Sequence, residues 1–154
     1  MCGIIGYIGD RDAMPILIKG LNRLEYRGYD SSGIAVLNGS IQVHKTIGRI
    51  QDLESIIPKK IEGTMGIAHT RWATHGGVTD NNAHPHLSMD KDIAIVHNGI
   101  IENSSLIRNV LEKQGIIFNS ETDTEVIVHL ISRARKEGLN TLDSVRSALR
   151  SLRG

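Results

Sequence analysis

The chain has 154 residues, of which 40% are hydrophobic and 23% charged, so it is long enough to bury a core and has the composition of a globular domain. A net charge of +1 and an aromatic content of 3% give no reason to expect a nucleic-acid partner. The single cysteine excludes an internal disulfide framework, and no apolar run is long enough to span a membrane. The N-terminus lacks the basic and apolar regions of a signal peptide, so we expect a soluble, cytoplasmic domain.

Hydrophobic periodicity and turn residues predict strands mostly in the first half of the chain and helices mostly in the second. The predicted strands cover residues 4–8, 34–37, 41–45, 65–70, 93–97 and 116–118. The predicted helices cover residues 12–24, 50–57, 103–114, 122–134 and 141–149, and all but the second begin at a candidate capping residue. Asn38-Gly39 tolerates the positive φ values of a type I′ turn and predicts a hairpin. This order of elements favours layered packing over simple βαβ alternation.

Cys2 is the first candidate for chemistry. An isolated cysteine is often a small buried hydrophobic residue. Removal of Met1 would instead make Cys2 the N-terminus, with a thiol beside a free α-amine whose ordinary pKa is about 7.7–8.0. The thiolate is a nucleophile, and the amine of the same residue can take its proton directly or through one water. Lipidation of Cys2 is the weaker alternative, because no myristoyl-type glycine or leader accompanies it.

Asn98 and Gly99 follow the predicted strand 93–97. The Asn98 side-chain amide and the Gly99 backbone N–H are candidate donors for an oxyanion hole, where negative charge develops as a thiol attacks a carbonyl. An Asn-Gly pair is also typical of an ordinary turn, so the dipeptide alone leaves both interpretations open.

The segment from His69 to Gly77 leaves the predicted strand 65–70 and contains the only tryptophan. The planar guanidinium of Arg71 suits a carboxylate, and Trp72 with two glycines suits a lid over a small ligand. The alternative is a surface loop anchored by its tryptophan. Asp123, in the first turn of a predicted helix, either binds a substrate ammonium or interacts favourably with the helix dipole.

Seven histidines raise the question of a metal site. His84 and His86 flank Pro85, but the sequence has no His-x-x-x-His pair with a partnering glutamate and no pair of cysteine ligands. We therefore expect no metal ion.

Taken together, the motifs resemble a known family. Cys2-Gly3-Ile4 is similar to the start of the class II glutamine amidotransferases, a branch of the N-terminal nucleophile hydrolases. The string Leu-Glu-Tyr-Arg-Gly-Tyr-Asp-Ser-Ser-Gly at 24–33 resembles, within that class, the glutamine–fructose-6-phosphate aminotransferase family. Segments 69–76, 82–86, 97–103 and 120–125 fit the same family in order, so the resemblance covers the whole chain.

The resemblance implies an α+β fold, a four-layer αββα sandwich, together with a set of catalytic residues. Cys2 would be the nucleophile and its α-amine the general base, while Asn98 and Gly99 would form the oxyanion hole. Arg27 matches a family arginine close to the nucleophile, and His84 matches a histidine near the glutamine pocket. No metal and no organic cofactor are implied.

The same resemblance implies how L-glutamine would be held. Arg71 would bind the α-carboxylate with help from Thr74 and His75, and Asp123 would bind the α-amine. Trp72 would lie on the loop that closes over glutamine. The implied reaction passes through a γ-glutamyl thioester and releases ammonia and glutamate. In the full-length family a separate C-terminal sugar-phosphate isomerase half uses the ammonia to convert fructose 6-phosphate to glucosamine 6-phosphate.

Two expectations concern the extent of the chain. Residues 1–154 are expected to be the glutaminase domain, ending before the family's last strands, without the isomerase half and with open sheet edges that favour association of copies. Retention of Met1 would block the α-amine and remove the proposed base. A catalytically silent glutamine-binding or interaction module is therefore the alternative to an enzyme.

Overall fold

The structure is a computed structural model that describes residues 2–28, 30–72 and 77–154. Its strands are β1 (Gly3–Ile8), β2 (Ser31–Asn38), β3 (Ser40–Ile47), β4 (Met65–Arg71), β5 (His86–Leu87) and β6 (Ala94–Ile95). Its helices are α1 (Ala13–Leu24), α2 (Ile50–Ile56), α3 (Ser104–Lys113), α4 (Glu125–Lys136) and α5 (Thr141–Ser151), with a short 3₁₀-helix at Glu25–Arg27.

Four strands form the larger sheet, in the order β1-β4-β2-β3, and all neighbours are antiparallel. Because side chains alternate along a strand, one face of this sheet carries Ile34, Val36 and Ala68. These residues pack with Leu17 and Leu21 of α1 in a core cluster that also includes residues of α2. Full burial of each leucine stabilises the fold by roughly 1.5–3 kcal/mol, which fixes α1 and α2 on this face.

The second half of the chain forms a separate helical layer. The antiparallel pair β5–β6 packs against α4, and α4 packs against α3 and α5. Leu111, Val126 and Ala148 are buried in this second cluster, with Ile95 of β6 packed against it. The apolar stripe of each helix therefore faces the small sheet and its helical neighbours.

The large sheet with α1 and α2 forms one half of the fold, and the small sheet with α3, α4 and α5 forms the other. These two halves, called the two layers below, meet at the face of the large sheet opposite to α1. A Cβ on Gly33 in β2 would clash with the carbonyl oxygen of His84 and lie 2.6 Å from Cβ of Lys45. The His69 ring of β4 stacks on His84 with centroids 4.2 Å apart. Helices, large sheet, small sheet and helices thus follow one another, as the α+β, four-layer prediction requires.

Two predicted strands differ from the structure. Residues 116–118 form no strand with any described residue; Phe118 packs instead on His129, with ring centroids 4.7 Å apart. The strand expected at 93–97 is limited to Ala94–Ile95, and the ladder stops before His97 would pair with the His84 backbone. The His97 N–H instead donates to Nδ1 of His84 at 3.4 Å.

The predicted hairpin is confirmed, but its turn is not of type I′. Asn38 pairs with Ser40, and Gly39 alone has a positive φ, of 67°. Among the predicted caps, Asp12 and Asn103 precede their helices without a side-chain capping bond. Asn140, rather than Thr141, caps α5 by accepting from the Asp143 N–H.

No helix within the described ranges is long and apolar enough to cross a lipid bilayer.

Candidate active site

A cavity of about 280 Å³ opens at the end of β4, between the two layers. It is lined by the eight predicted site residues that the structure describes: Cys2, Arg27, Arg71, Trp72, His84, Asn98, Gly99 and Asp123. Thr74 and His75, the other two predicted site residues, lie outside the described residues, as does Met1. The structure thus brings together residues that are up to 121 positions apart in the chain.

The pairing of β1 with β4 positions the thiol. Gly3 pairs with Thr70, so Cys2 follows at the level of Arg71. The Gly3 N–H also donates to Oγ1 of Thr70 at 3.1 Å. Sγ of Cys2 accepts from the Trp72 N–H at 3.2 Å and lies 3.6 Å from the Trp72 carbonyl oxygen. These backbone contacts hold the sulfur of Cys2 at the end of β4, where it lines the cavity.

Arg71 is the buried cation of the cavity, with only 5% of its surface exposed. Burial lowers the pKa of Arg71, and its electrostatic interactions with Cys2, Asp30 and Asp123 oppose that shift. Its Nη1 donates to the Gly77 carbonyl oxygen at 3.2 Å. A guanidinium held in this way presents its planar donors to a carboxylate.

Asp123 enters the cavity from the loop before α4. Its Oδ2 accepts from the Ile101 N–H at 2.6 Å, which fixes the orientation of the carboxylate. Arg108 holds the same loop by donating from Nη2 to the carbonyl oxygens of Ser120 and Thr122, each at 3.0 Å. A cation and an anion thus reach one cavity from opposite layers, an arrangement that suits the two charged groups of an α-amino acid.

Asn98 and Gly99 form the wall across from Arg71 and follow β6 after two intervening residues. Nδ2 of Asn98 donates to the Cys2 carbonyl oxygen at 3.3 Å, which places an amide donor beside the thiol residue. Gly99 has a φ of 154°, which side chains other than glycine rarely adopt. Asn98 and Gly99 therefore line the cavity close to Cys2, and their role in an oxyanion hole stays a prediction.

Arg27 and His84 line the cavity at places where two segments of backbone lie close together. Gly28 follows Arg27, and a Cβ at that position would lie 2.9 Å from the Arg71 carbonyl carbon and 3.1 Å from the Trp72 nitrogen. The absence of a side chain there lets the 3₁₀-helix lie against the end of β4. His84 is 5% exposed and lies under the cavity, stacked on His69.

Other residues of the lining were not predicted from the sequence. They are His69, His97, Ile100, Thr122 and Thr124. His69 had a usable signal, because it precedes Arg71 by two positions and so shares its strand face. The remaining four lie beside predicted site residues in the chain, but only the fold shows that their side chains face the same space.

The buried histidines around the cavity are neutral near pH 7. Burial lowers the pKa of His69 to about 4, against opposing interactions of the ring as a donor towards Oδ1 of Asn98 and towards the His97 backbone. Burial also lowers the pKa values of His84 and His86, and neighbouring charges add to that shift. Within residues 2–28, 30–72 and 77–154, no group of three or more His, Cys, Asp or Glu side chains is placed to hold a metal ion.

Comparison with known families agrees with this geometry. A family model described as "Glutamine amidotransferase domain" matches residues 44–146, which is more than half of the chain. The chain therefore belongs to the glutamine amidotransferase domain family.

The sequence is similar to curated enzymes named glutamine–fructose-6-phosphate aminotransferase (isomerizing). The enzyme of Chlorobaculum tepidum is 53% identical over the whole of this chain, which covers 26% of that protein. The enzyme of Caldanaerobacter subterraneus is 58% identical over 85% of this chain and 22% of that protein. The chain thus spans about a quarter of the length of these relatives, and the predicted resemblance to this family is confirmed.

Two solved structures share the fold over the whole of this chain. The glutamine phosphoribosylpyrophosphate amidotransferase of B. subtilis, complexed with ADP and GMP, matches with a TM-score of 0.84 and 30% identity, and 33% of its chain is covered. A structure described as the allosteric regulatory enzyme of purine biosynthesis matches with a TM-score of 0.86 and 32% identity, over 34% of its chain. The predicted N-terminal nucleophile type of fold is confirmed by these neighbours.

Proposed function

We propose that this chain hydrolyses the side-chain amide of L-glutamine with Cys2 as the nucleophile. The observation that carries the proposal is a single cavity lined by a thiol, a buried guanidinium, a carboxylate and the Asn98-Gly99 pair. Family membership over residues 44–146 supports the same reaction. No metal or organic cofactor takes part.

The proposed reaction uses two displacement steps. The α-amine of Cys2, freed by removal of Met1, takes the thiol proton, and sulfur attacks the amide carbon to form a tetrahedral oxyanion. Nδ2 of Asn98 and the Gly99 N–H stabilise that oxyanion. The carbon–nitrogen bond then breaks, the transferred proton leaves with ammonia, and a γ-glutamyl thioester remains. Water attacks the thioester, which releases glutamate and restores the thiol.

Glutamine is proposed to be held by its α-amino acid end. Arg71 binds the α-carboxylate with Thr74 and His75, and Asp123 binds the α-ammonium through the oxygen that Ile101 does not occupy. Trp72, which is 45% exposed beside the thiol, lies on the loop that closes over the substrate. Arg27 and His84 complete the wall near the reacting sulfur.

The ammonia is proposed to serve the amination of fructose 6-phosphate. The support is the name of relatives that are 53% identical, glutamine–fructose-6-phosphate aminotransferase. Residues 1–154 would then be the glutaminase part, ending before the last strands of that domain, and a sugar-phosphate isomerase part would belong to the remaining length of such proteins. A cytoplasmic location fits, because a reducing compartment keeps the Cys2 thiol free.

The decisive experiment measures glutamate release from glutamine and covalent labelling of Cys2. A glutamine-like electrophile should add one equivalent to Cys2, which is the only thiol in the sequence. Cys2→Ala should abolish turnover but retain glutamine binding, because Arg71 and Asp123 are unchanged. Glutamate production by Cys2→Ala at the wild-type rate would overturn the mechanism.

The mass of the purified chain separates the enzyme from a catalytically silent module. Loss of one methionine frees the α-amine that the mechanism needs. A mass that includes Met1, together with no labelling of Cys2, would favour the silent module, which no observation favours at present.

We also propose that copies of this chain associate with one another. The proposal includes no nucleic-acid partner and no membrane. The large sheet exposes apolar side chains on and beside its edge strand β1; Ile8 is 73% exposed, and Leu37 and Met65 are 41% and 42% exposed. Exposed apolar residues near an unpaired edge favour self-association. Light scattering after gel filtration should show oligomers that Ile8→Lys weakens, and a strict monomer would contradict this part.

A further inference from the structure

One partly buried hydrogen bond joins the two layers of the fold at the Asn98-Gly99 side of the cavity. His69 lies in β4 and is 1% exposed, and its Nε2 is 2.8 Å from Oδ1 of Asn98. Nδ2 of the same Asn98 amide points the other way and donates to the Cys2 carbonyl oxygen at 3.3 Å. The amide is therefore held at both ends, by a histidine on one side and by the nucleophilic residue on the other.

The direction of the hydrogen bond follows from the chemistry of its two atoms. An amide oxygen only accepts, so Nε2 of His69 must carry the proton. No described residue lies in hydrogen-bonding geometry to the buried Nδ1 of His69, and the His97 backbone interacts with the ring more weakly than Asn98 does. Burial lowers the pKa of His69 to about 4, so the ring is neutral near pH 7 and has one proton to place. That proton lies on Nε2.

The ring of His69 is itself held in place by His84. The two rings stack with centroids 4.2 Å apart and an interplanar angle of 19°. Nδ1 of His84 accepts from the His97 N–H at 3.4 Å. One histidine thus holds the backbone just before Asn98, and the other holds the Asn98 side chain.

The orientation of the Asn98 amide decides whether it stabilises or repels an oxyanion. Its oxygen and nitrogen ends have nearly the same shape, so rotation by half a turn exchanges a donor for an acceptor. An acceptor facing the developing charge would raise the barrier instead of lowering it. A fixed donor at Nε2 of His69 selects the productive orientation, because the opposite one would bring two N–H groups together.

We propose that His69 is a positioning residue for glutamine hydrolysis: its Nε2–H holds Oδ1 of Asn98 and so directs Nδ2 of Asn98 to the oxyanion. This inference rests on the proposed glutaminase function and adds to it the residue that sets the polarity of the oxyanion hole.

The test compares steady-state glutamine hydrolysis by the purified full chain and its variants. His69→Leu should lower kcat roughly tenfold to hundredfold with KM within about threefold, because the oxyanion forms only after attack. His69→Gln, whose amide N–H can reach the same oxygen, should recover most of kcat. A kcat of His69→Leu within about twofold of the wild type, or a loss that appears only in KM, would overturn the proposal.

His129→Leu is the matched control. His129 is also 1% exposed, bonds through Nε2 to Glu125 at 3.4 Å, and has a buried Nδ1 without a partner among the described residues. It does not line the cavity. His129→Leu should therefore lower stability without the fall in kcat. An equal fall in kcat in both variants would assign the His69 effect to general destabilisation.

A double-mutant cycle tests whether His69 acts through Asn98. In an Asn98→Ala background, His69→Leu should cost less than about twofold further in kcat, because the amide that it positions is gone. If the reductions in kcat caused by His69→Leu and Asn98→Ala multiply in the double variant, His69 does not act through Asn98.

Nitrogen NMR of the wild-type His69 ring gives a readout that needs neither turnover nor a folded variant. The proposal requires a proton on Nε2 at pH 7, and a ring protonated on Nδ1 towards the His97 carbonyl would overturn it. Wild-type protein that neither hydrolyses glutamine nor labels at Cys2 would overturn the proposed function itself. Normal wild-type turnover with an unaffected His69→Leu would overturn only the role of His69.

Discussion

At the scale of single residues, the charged and the neutral groups of the cavity suit different parts of the proposed substrate. Arg71 and Asp123 carry formal charges suited to a substrate's α-carboxylate and α-ammonium, whereas Asn98 and the buried histidines, together with Arg27, are proposed to face the reacting amide. Because burial keeps His69 and His84 uncharged, these rings do not compete with Arg71 for an anion. Binding and bond breaking are thereby assigned to different residues, and substitutions should separate the two.

Arg71→Lys tests the binding end. Lysine keeps the positive charge but loses the planar two-point contact with a carboxylate. A charge-assisted hydrogen bond to a buried partner contributes roughly 1.5–3 kcal/mol, so KM for glutamine should rise about tenfold or more with a smaller change in kcat. Steady-state kinetics with glutamine measures both constants.

Asn98→Ala is the comparison for Arg71→Lys. It should lower kcat about a hundredfold and leave KM nearly unchanged, because its amide faces charge that appears only after attack. The role assignments are wrong if Arg71→Lys leaves glutamine binding intact while Asn98→Ala weakens only binding.

The residues of the site were predictable from the sequence to the extent that they lie in motifs. Cys2, Arg71, Asn98 and Asp123 each stand in a short recognisable segment, and all of them line the cavity. The bond between His69 and Asn98 was not predictable in the same way. It depends on the register of β1 with β4 and on the packing of two layers, neither of which a local pattern encodes.

At the scale of elements, two strand glycines show how closely the layers approach. Gly33 in β2 faces the small sheet, and a Cβ there would clash with the His84 carbonyl oxygen, which belongs to the backbone and cannot rotate away. Gly6 in β1 has nothing within 4 Å of its added Cβ. Both have ordinary strand backbones, since neither is among the positive-φ glycines.

Gly33→Ala should lower the free energy of unfolding by about 1–3 kcal/mol, because overpacking between the sheets moves the His84 backbone. It should also lower kcat, since His84 supports His69 and the His97 backbone. Gly6→Ala is the matched control and should change stability by no more than about 1 kcal/mol, with a gain expected from lower unfolded-state entropy. Urea unfolding and glutamine turnover measure the two effects, and equal stability of both variants would contradict the close approach.

The boundaries of the elements show where sequence patterns fail. The predicted helices are found to within a few residues, because an apolar stripe of 3.6-residue period needs only a core to pack against. The prediction of a short strand at 116–118 was wrong, because an apolar run of three residues packs equally well on a helix, as Phe118 does on α4. At the start of α4 the predicted cap at residue 122 was wrong because other donors compete for Glu125, whose carboxylate accepts from the N–H groups of Asn119 and Ser120 at 2.8 and 2.7 Å.

At the scale of the whole molecule, the space between the layers holds titratable groups in fixed charge states. His86 bonds through Nε2 to Thr122 at 2.9 Å, and Oγ of Ser120 donates to Glu125 at 2.6 Å. Burial raises the pKa of Glu125, but hydrogen bonds from His129, Asn119 and Ser120 outweigh it and hold the pKa below its usual value. The folded state therefore contains neutral histidines and an ionised glutamate. Lowering the pH destabilises the fold because it favours protonation of both kinds of group.

The stability of the molecule should fall in two stages as the pH is lowered. Folding lowers the pKa values of His69, His84 and His86, so in mild acid the unfolded chain binds protons that the folded chain does not. Their stabilisation is complete above the unfolded value of about 6.5 and is lost progressively below it. Glu125 also has a lowered pKa, so its contribution is lost only below about 4.3. The first loss of stability is therefore due to the three histidines, and the second also includes Glu125.

Urea unfolding at a series of pH values measures this dependence. With a folded pKa of about 4, His69 alone should account for a loss of about 2 kcal/mol between about pH 7.5 and pH 5. Near pH 5.5 the slope should correspond to about three protons, because His69, His84 and His86 are each protonated only in the unfolded chain. His69→Gln should reduce that slope by about one proton, because it removes one of the three histidines whose pKa folding lowers. A wild-type slope near zero between pH 6 and pH 5 would mean that these histidines are not held neutral in the folded chain, and it would contradict the first stage of the predicted loss of stability.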